Sequence, residues 1–249
     1  MGTPGYEAES ITEPQSTGAP IARVVAAFRP GTRLQRVRSS HSYGFVLLLV
    51  LSSFVFIALA PSERWAVAVV VLVEAAILSL AIWTSGLVFR RLAIPIILVI
   101  GLLAALAVTL DGNETTRIVV GVVDVAFLVS SCAVIGAGVW DQQRVNQQSI
   151  LGALSIYVTI GILFTVVYGV LATVDNGPFF AQGTDGNASD RLYFSFVTLA
   201  TLGYGDYTAA TDLGRMLAVI EVLIGQLYLV TVVALLVANL GHRRGEPRA

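Results

Sequence analysis

The chain has 249 residues, 56% of them hydrophobic and only 12% charged, with a formal net charge of −1. Soluble domains are about 45–50% apolar and about 25% charged, so the composition excludes an ordinary water-soluble fold. The near-zero charge gives no sign of a nucleic-acid partner. Its apolar runs are roughly 18 to 28 residues long, enough to cross a hydrocarbon core of about 30 Å, and an all-α protein of the lipid bilayer is expected.

In chain order, residues 1–42 form a cytoplasmic arm, rich at first in Pro, Gly, Ser, Thr and Glu and expected to be partly disordered. Within it, "IARVVAAFRPGTRLQRVR" at 21–38 is basic. It reads either as a segment on an anionic membrane surface or as a solvated arm that sets topology. Six candidate spans follow, at 43–60, 65–88, 93–110, 117–139, 149–174 and 213–240. The first four make a transmembrane bundle over 43–140. Glu74 in the second and Asp124 in the fourth are intramembrane acids. Such residues are costly in lipid and face protein or water; an interhelical polar contact is favoured over a cation or proton sensor. A short tail, 241–249, follows the last span, and no soluble ligand-binding domain is expected in it or in the arm.

Most arginines fall on one side of this arrangement: Arg23, Arg29, Arg33, Arg36, Arg38, Arg90, Arg91, Arg144, Arg243, Arg244 and Arg248. Arg64, Arg117, Arg191 and Arg215 fall on the other. Basic enrichment marks the cytoplasmic side, so both termini are expected inside and the protein in the plasma (inner) membrane. The all-Arg, Ala- and Val-rich composition reads as bacterial. The single cysteine, Cys132, forms no intrachain disulfide, and His41 and His242 lack neighbours at metal-ligand spacing. With no nucleophile–base pair and no phosphate loop, neither an enzyme nor a cofactor is expected.

Between the last two spans lies a shorter apolar piece and then "TLATLGYGDYT" at 198–208. Irregular backbone at membrane depth is tolerated only where protein buries it or water reaches it. Gly203 and Gly205, alternating with Leu202 and Tyr204, permit positive φ and would let successive carbonyls point one way. A row of carbonyl oxygens can replace the hydration shell of a cation.

The stretch "TLGYGD" resembles the filter motif of potassium channels, with leucine where valine is commoner. "DRLYFSFVTLATLGYGDYTAATDLGRMLAVIEVLIGQLYLV", 190–230, is similar to that family's pore helix, filter and inner helix in order. The resemblance implies a pore domain over 149–240: outer helix 149–174, re-entrant pore helix 189–200, filter 201–206 and inner helix 213–240. It implies that backbone carbonyls of Thr201, Leu202, Gly203 and Tyr204 coordinate K+, the permeant ion. Gly205 would then turn the chain at the outer mouth, Asp206 would brace the filter from behind, and Thr198 would pack against it. Asn187, Ser189 and Asp190 are N-cap candidates for the pore helix, and Tyr193, Phe194 and Phe196 are candidates for an aromatic cuff. Gly225 aligns with a hinge glycine, but a helix glycine also permits close packing. Glu221, one turn earlier, either faces the filter base or bonds between helices, with Gln226 and Tyr228 as the nearest polar candidates.

One filter cannot make a pore by itself; the resemblance, to a family that sets four filters around an axis, implies a homotetramer, which cyclic symmetry around a shared channel fits. The fourth span, "TRIVVGVVDVAFLVSSCAVIGAGVW", carries only Arg117, at its outer edge. One charge moved through 100 mV yields about 2.3 kcal/mol, so weak or no voltage gating is expected. The function implied is passive, potassium-selective conduction. The alternatives are a non-selective cation channel, because of Leu202, and a potassium transporter subunit.

Overall fold

The computed structural model describes residues 42–243 apart from 62, 86–89, 141–146 and 176. The expected N-terminal arm, up to residue 41, and the tail beyond residue 243 lie outside the described residues, as do most of the arginines that set the expected orientation. Seven helices are described: α1 (Ser42–Leu59), α2 (Arg64–Ser85), α3 (Arg90–Leu110), α4 (Glu114–Trp140), α5 (Gln147–Val174), α6 (Ala188–Leu199) and α7 (Asp212–Arg243). Five of them, α2 to α5 and α7, are long and apolar enough to cross a membrane. Helix α1 is apolar but shorter, about 27 Å at 1.5 Å per residue. Helix α6, with 12 residues, cannot span. Among the described residues there are no strands, only isolated bridges from Phe180 to Thr184 and to Ala209.

These segments are helical because they are long, apolar and almost free of breakers. Pro95 lies in the second turn of α3, where it removes one intrahelical hydrogen bond. Apolar side chains cover the outside as well as the inside. Leu92, Val99, Leu102 and Leu103 of α3 all stand exposed. Water would penalise that surface at about 25 cal/mol per Å², whereas lipid tails do not.

Helices α2, α3 and α4 share one core, in which Val71, Ala75, Val108, Val120 and Phe127 are buried together. A Cβ added at Gly101 of α3 would come within 2.8 Å of the Ala75 Cβ, so a small-residue pair sets the approach of α2 and α3. A second core joins α1 to α2, α4, α5 and α6 through Val50, Ile77, Leu128, Ile162 and Leu192. Phe54 of α1 meets Phe196 of α6 edge-on at 4.9 Å between centroids. Ser189 Oγ donates to the Ala58 carbonyl at 3.1 Å. The four-helix half is thereby packed against the short helix α6.

Both acids of that half are buried, Glu74 on α2 and Asp124 on α4. Glu74 Oε1 accepts a hydrogen bond from Ser53 Oγ of α1 at 2.7 Å. Asp124 Oδ1 has no hydrogen-bond partner among the described residues. The two positions therefore differ in expected sensitivity. Ser53→Ala should destabilise the bundle by about 0.6–2 kcal/mol, the range for interhelical hydrogen bonds in membranes. Asp124→Asn, which keeps volume and removes a potential charge, should leave stability unchanged or raise it. Thermal unfolding of the detergent-solubilised protein distinguishes them; a larger loss for Asp124→Asn would contradict this ranking.

Helix α7 touches the rest of the chain along one stripe. Gly214, Glu221 and Gly225 are buried, while Met216, Val219, Ile220, Leu223 and Leu227 are exposed. Spacings of seven and four residues place the buried positions on one helical face.

Candidate functional site

Helix α6 begins on a capping box. Asn187 Oδ1 accepts from the Asp190 backbone N–H at 2.9 Å, and Asp190 Oδ2 accepts from the Asn187 N–H at 2.8 Å. The cap satisfies two otherwise unpaired donors. Of the three candidate residues, Asn187 is the cap and Asp190 its reciprocal partner. The Arg191 guanidinium donates to the Asp185 and Gly186 carbonyls, at 3.0 and 2.8 Å, and so ties the preceding loop to the helix.

At its other end the helix passes directly into irregular backbone. The Thr201 N–H donates to the Thr198 carbonyl at 2.9 Å, and the Leu202 N–H to the Val197 carbonyl at 2.8 Å. Beyond this anchor, Thr201, Gly203 and Gly205 have φ of 58°, 57° and 81°. Leu202 and Tyr204 between them are not in that region. Alternate left-handed residues turn successive peptide units to the same side, unlike the two-sided alternation of a strand. For the two glycines positive φ carries no Cβ penalty. For Thr201, a β-branched residue, it is an outlier, of the kind that surrounding structure must hold in place. The sequence pointed to the glycines and not to Thr201.

Residues 201–206 are all exposed within the single chain, Leu202 at 56% and Tyr204 at 65%. Behind them Asp206 accepts from Tyr193 Oη at 2.8 Å and from the Tyr207 N–H at 3.1 Å. The bond to Asp206 raises the Tyr193 phenol above its ordinary pKa, and the charge of Asp190 does the same for Tyr207. Tyr193→Phe removes the side-chain bond and keeps the ring. It should modestly lower the unfolding temperature of the detergent-solubilised protein, as expected for a lost hydrogen bond; an unaltered transition would rule out this brace.

The expected cuff is divided. Phe194 joins Tyr168, Phe179 and Phe180 in a buried aromatic cluster, with centroids 5.2–6.0 Å from the Phe194 ring. Phe196 turns instead to Phe54, and Tyr193 to Asp206. Phe179 and Phe180, both wholly buried, come from the loop before α6. Their adjacency inside a polar stretch was the one local signal for them. The loop is stitched to the chain after the irregular segment by backbone bonds, Ala181 N–H to the Thr208 carbonyl and Ala210 N–H to the Phe179 carbonyl, both 2.8 Å.

Glu221 of α7 is wholly buried. Its Oε2 accepts from Tyr168 Oη of α5 at 2.6 Å, and its Oε1 lies against Ser195 Oγ of α6. Ser195 Oγ also reaches the Gly161 carbonyl at 2.8 Å. One carboxyl thus joins three helices. The partners differ from those suggested by proximity in sequence. Tyr228 Oη donates to the Ala153 carbonyl at 2.6 Å, and Gln226 Nε2 reaches Thr201 Oγ1 at 3.5 Å. One turn beyond Glu221, a Cβ added at Gly225 would lie 2.7 Å from Leu199 Cδ1 and 2.8 Å from the Leu199 carbonyl oxygen. The structure therefore brings Thr198, Thr201 to Asp206, Glu221 and Gly225 to the junction of α5, α6 and α7. Glu74 and Asp124 stand apart, among α1, α2 and α4.

The chain is similar to two curated proteins. It is 29% identical over 102 residues to "Potassium channel, subfamily K, member 16" of Mus musculus, covering 38% of this chain and 32% of the relative. It is 28% identical over 102 residues to "Potassium channel subfamily K member 16" of Homo sapiens, covering 38% and 31%. The match spans about a third of the length of these relatives. No solved structure matches. A family model described as "Ion channel" matches residues 117–241, which take in nearly all of α4 and the whole of the junction just described. With half of its length inside that match, the chain belongs to this ion-channel family.

Proposed function

We propose that this chain is the subunit of a potassium-selective channel that conducts passively and responds weakly or not at all to voltage. The observation that carries the proposal is the alternation of left-handed backbone at Thr201, Gly203 and Gly205, at the end of a short helix set between two longer ones. Carbonyls of Thr201, Leu202, Gly203 and Tyr204 form the ion sites in this reading, and replace hydration water around K+. The C-terminus of α6 adds partial negative charge nearby. The two relatives named as potassium channels support the choice of ion.

A single segment cannot enclose an ion, so four chains surround one axis. The exposed side chains of Leu202 and Tyr204, and the apolar face of α7 with Val219, Leu223 and Leu227, supply surface for that assembly. Helix α1 completes six crossings in this reading, with a slight local thinning of the bilayer for its shorter length. Both termini then lie inside the cell, a reading that the arginine distribution supports. Helix α4 carries Arg117 in its first turn and Asp124 in its interior, which is not a charge pattern that a field can pull strongly.

The test is the reversal potential of the purified protein in planar bilayers, with potassium on one side and sodium on the other. A value near the potassium equilibrium potential is expected. A value near zero with robust current would replace the proposal with a non-selective cation channel, the consequence of Leu202.

A further inference from the structure

Donors and acceptors around Glu221 do not balance if its carboxyl is ionised. Ser195 Oγ lies within hydrogen-bonding distance of two oxygens, the Gly161 carbonyl at 2.8 Å and Glu221 Oε1. A serine hydroxyl has one proton to give. If Glu221 is a carboxylate, both neighbours are acceptors, and one contact sets two oxygens together with no hydrogen between them. Tyr168 Oη also has one proton, directed to Glu221 Oε2. The site is wholly buried in the chain, so no bulk water makes up the shortage. Among the described residues no basic side chain is paired with Glu221 to offset a charge. Among the described residues the only ion pair joins Arg215 to Asp212, and Arg191 is turned to the loop carbonyls.

We infer that Glu221 holds a proton on Oε1 and donates it to Ser195 Oγ, as a neutral latch that fixes the inner helix α7 to the short helix α6. Every hydrogen bond is then satisfied in one direction. Tyr168 donates to Glu221 Oε2, Glu221 to Ser195, and Ser195 to the Gly161 carbonyl. The chain of bonds begins and ends on α5, at Tyr168 and Gly161, and passes through α7 and then α6, the helix that leads into the irregular segment. Four residues later on α7, Gly225 lies against the Leu199 carbonyl, so the latch closes beside a close backbone approach of the two helices. Glu221 is a positioning residue here: it touches no permeating ion and acts through Ser195.

The titratable groups that face it are few. From α5 there are Tyr168, its direct partner, and Tyr157, which stacks on Tyr228 of α7. From α6 there are none, because Tyr193 is turned to Asp206. Loss of the proton at high pH removes the donor to Ser195 and leaves a buried charge. The latch is therefore closed at low and neutral pH and opens as pH rises.

This inference rests on the channel reading for its electrical consequences, but not for the proton itself. Glu221→Gln is the decisive variant. A glutamine amide donates to Ser195 from Nε2 and accepts from Tyr168 at Oε1, so it reproduces the neutral acid and not the carboxylate. In bilayers the full-length Glu221→Gln protein should keep the reversal potential and steady current of the unaltered protein and lose their dependence on alkaline pH. Glu221→Ala should lower steady current about tenfold, the equivalent of about 1.4 kcal/mol for a lost buried hydrogen bond. Infrared spectra of the same proteins provide a readout that needs no current. The carbonyl stretch of a protonated carboxylic acid should be weaker in Glu221→Gln than in the unaltered protein. Identical acid bands, or a Glu221→Gln protein as impaired as Glu221→Ala, would overturn the latch. An unaltered protein with no potassium-selective current would count against the channel reading, and the infrared comparison would still decide the proton.

Discussion

Replacement of Gly203 by alanine is expected to abolish potassium-selective current while the protein still reaches the membrane. The reason is conformational and not steric. No atom lies within 4 Å of a Cβ added at Gly203, but its φ is +57°. Left-handed backbone costs an L-residue with a Cβ roughly 1–2 kcal/mol. Four subunits around one axis, as proposed, would raise that to roughly 4–8 kcal/mol for the assembled ring. Relaxation of the alanine to negative φ rotates its peptide plane and takes a carbonyl out of the row. The cost is not shared by neighbours, because Thr201 already holds an unfavourable φ of 58°. The measurement is the reversal potential under potassium and sodium, together with total steady current. A Gly203→Ala protein with undiminished selectivity would mean that the 201–204 carbonyls do not form the ion path.

Replacement of Gly225 by alanine has two opposed expectations, and the structure selects one. For a hinge glycine in an otherwise exposed helix, alanine would stiffen and stabilise α7 by about 0.5–1 kcal/mol. Here the added Cβ meets Leu199 Cδ1 at 2.7 Å and the Leu199 carbonyl at 2.8 Å. The side chain can turn aside, but the carbonyl belongs to the end of α6 and cannot move without its helix. Such overpacking costs about 1–3 kcal/mol, which exceeds the propensity gain. Gly225→Ala should therefore lower the unfolding temperature and reduce steady current, with the end of α6 displaced. Stability that rises with the substitution, accompanied by impaired opening alone, would restore the hinge. The same comparison with Gly214→Ala is a useful control, since its nearest contact is the Ala209 Cβ at 3.0 Å, a milder obstacle at the opposite end of the same stripe.

Much of the helical layout was legible in the chain itself. Expected spans at 117–139 and 149–174 correspond to Glu114–Trp140 and Gln147–Val174, and the expected short helix at 189–200 to Ala188–Leu199. Length, apolarity and capping are properties of contiguous residues, and Asn187 with Asp190 three places on is a local signature of a helix start. The last helix runs a little longer than the apolar pattern, to Arg243, because polar residues at its end still extend the same backbone ladder. The glycines at 203 and 205 announced unusual backbone because few other residues adopt it.

Tertiary structure alone decided the rest. Thr201 gives no local hint of positive φ; its conformation follows from two anchors, the Thr198 and Val197 carbonyls, that hold the chain at its entry to the irregular segment. The partners of Glu221 lie 53 and 26 residues away, at Tyr168 and Ser195, and no sequence period links an acid on one helix to hydroxyls on two others. Phe196 and Phe194 are separated by one residue, yet one packs on α1 and the other on the loop aromatics. Periodicity along a helix shows which positions share a face, but lipid-facing helices are apolar all round, so in this protein even that signal is blunted. Which face meets which neighbour was set by small residues, at Gly101, Gly214 and Gly225, and by a few buried polar groups. Contacts of both kinds depend on distance in space, and for Gly225 with Leu199 or Glu221 with Ser195 that distance is created only when the chain folds.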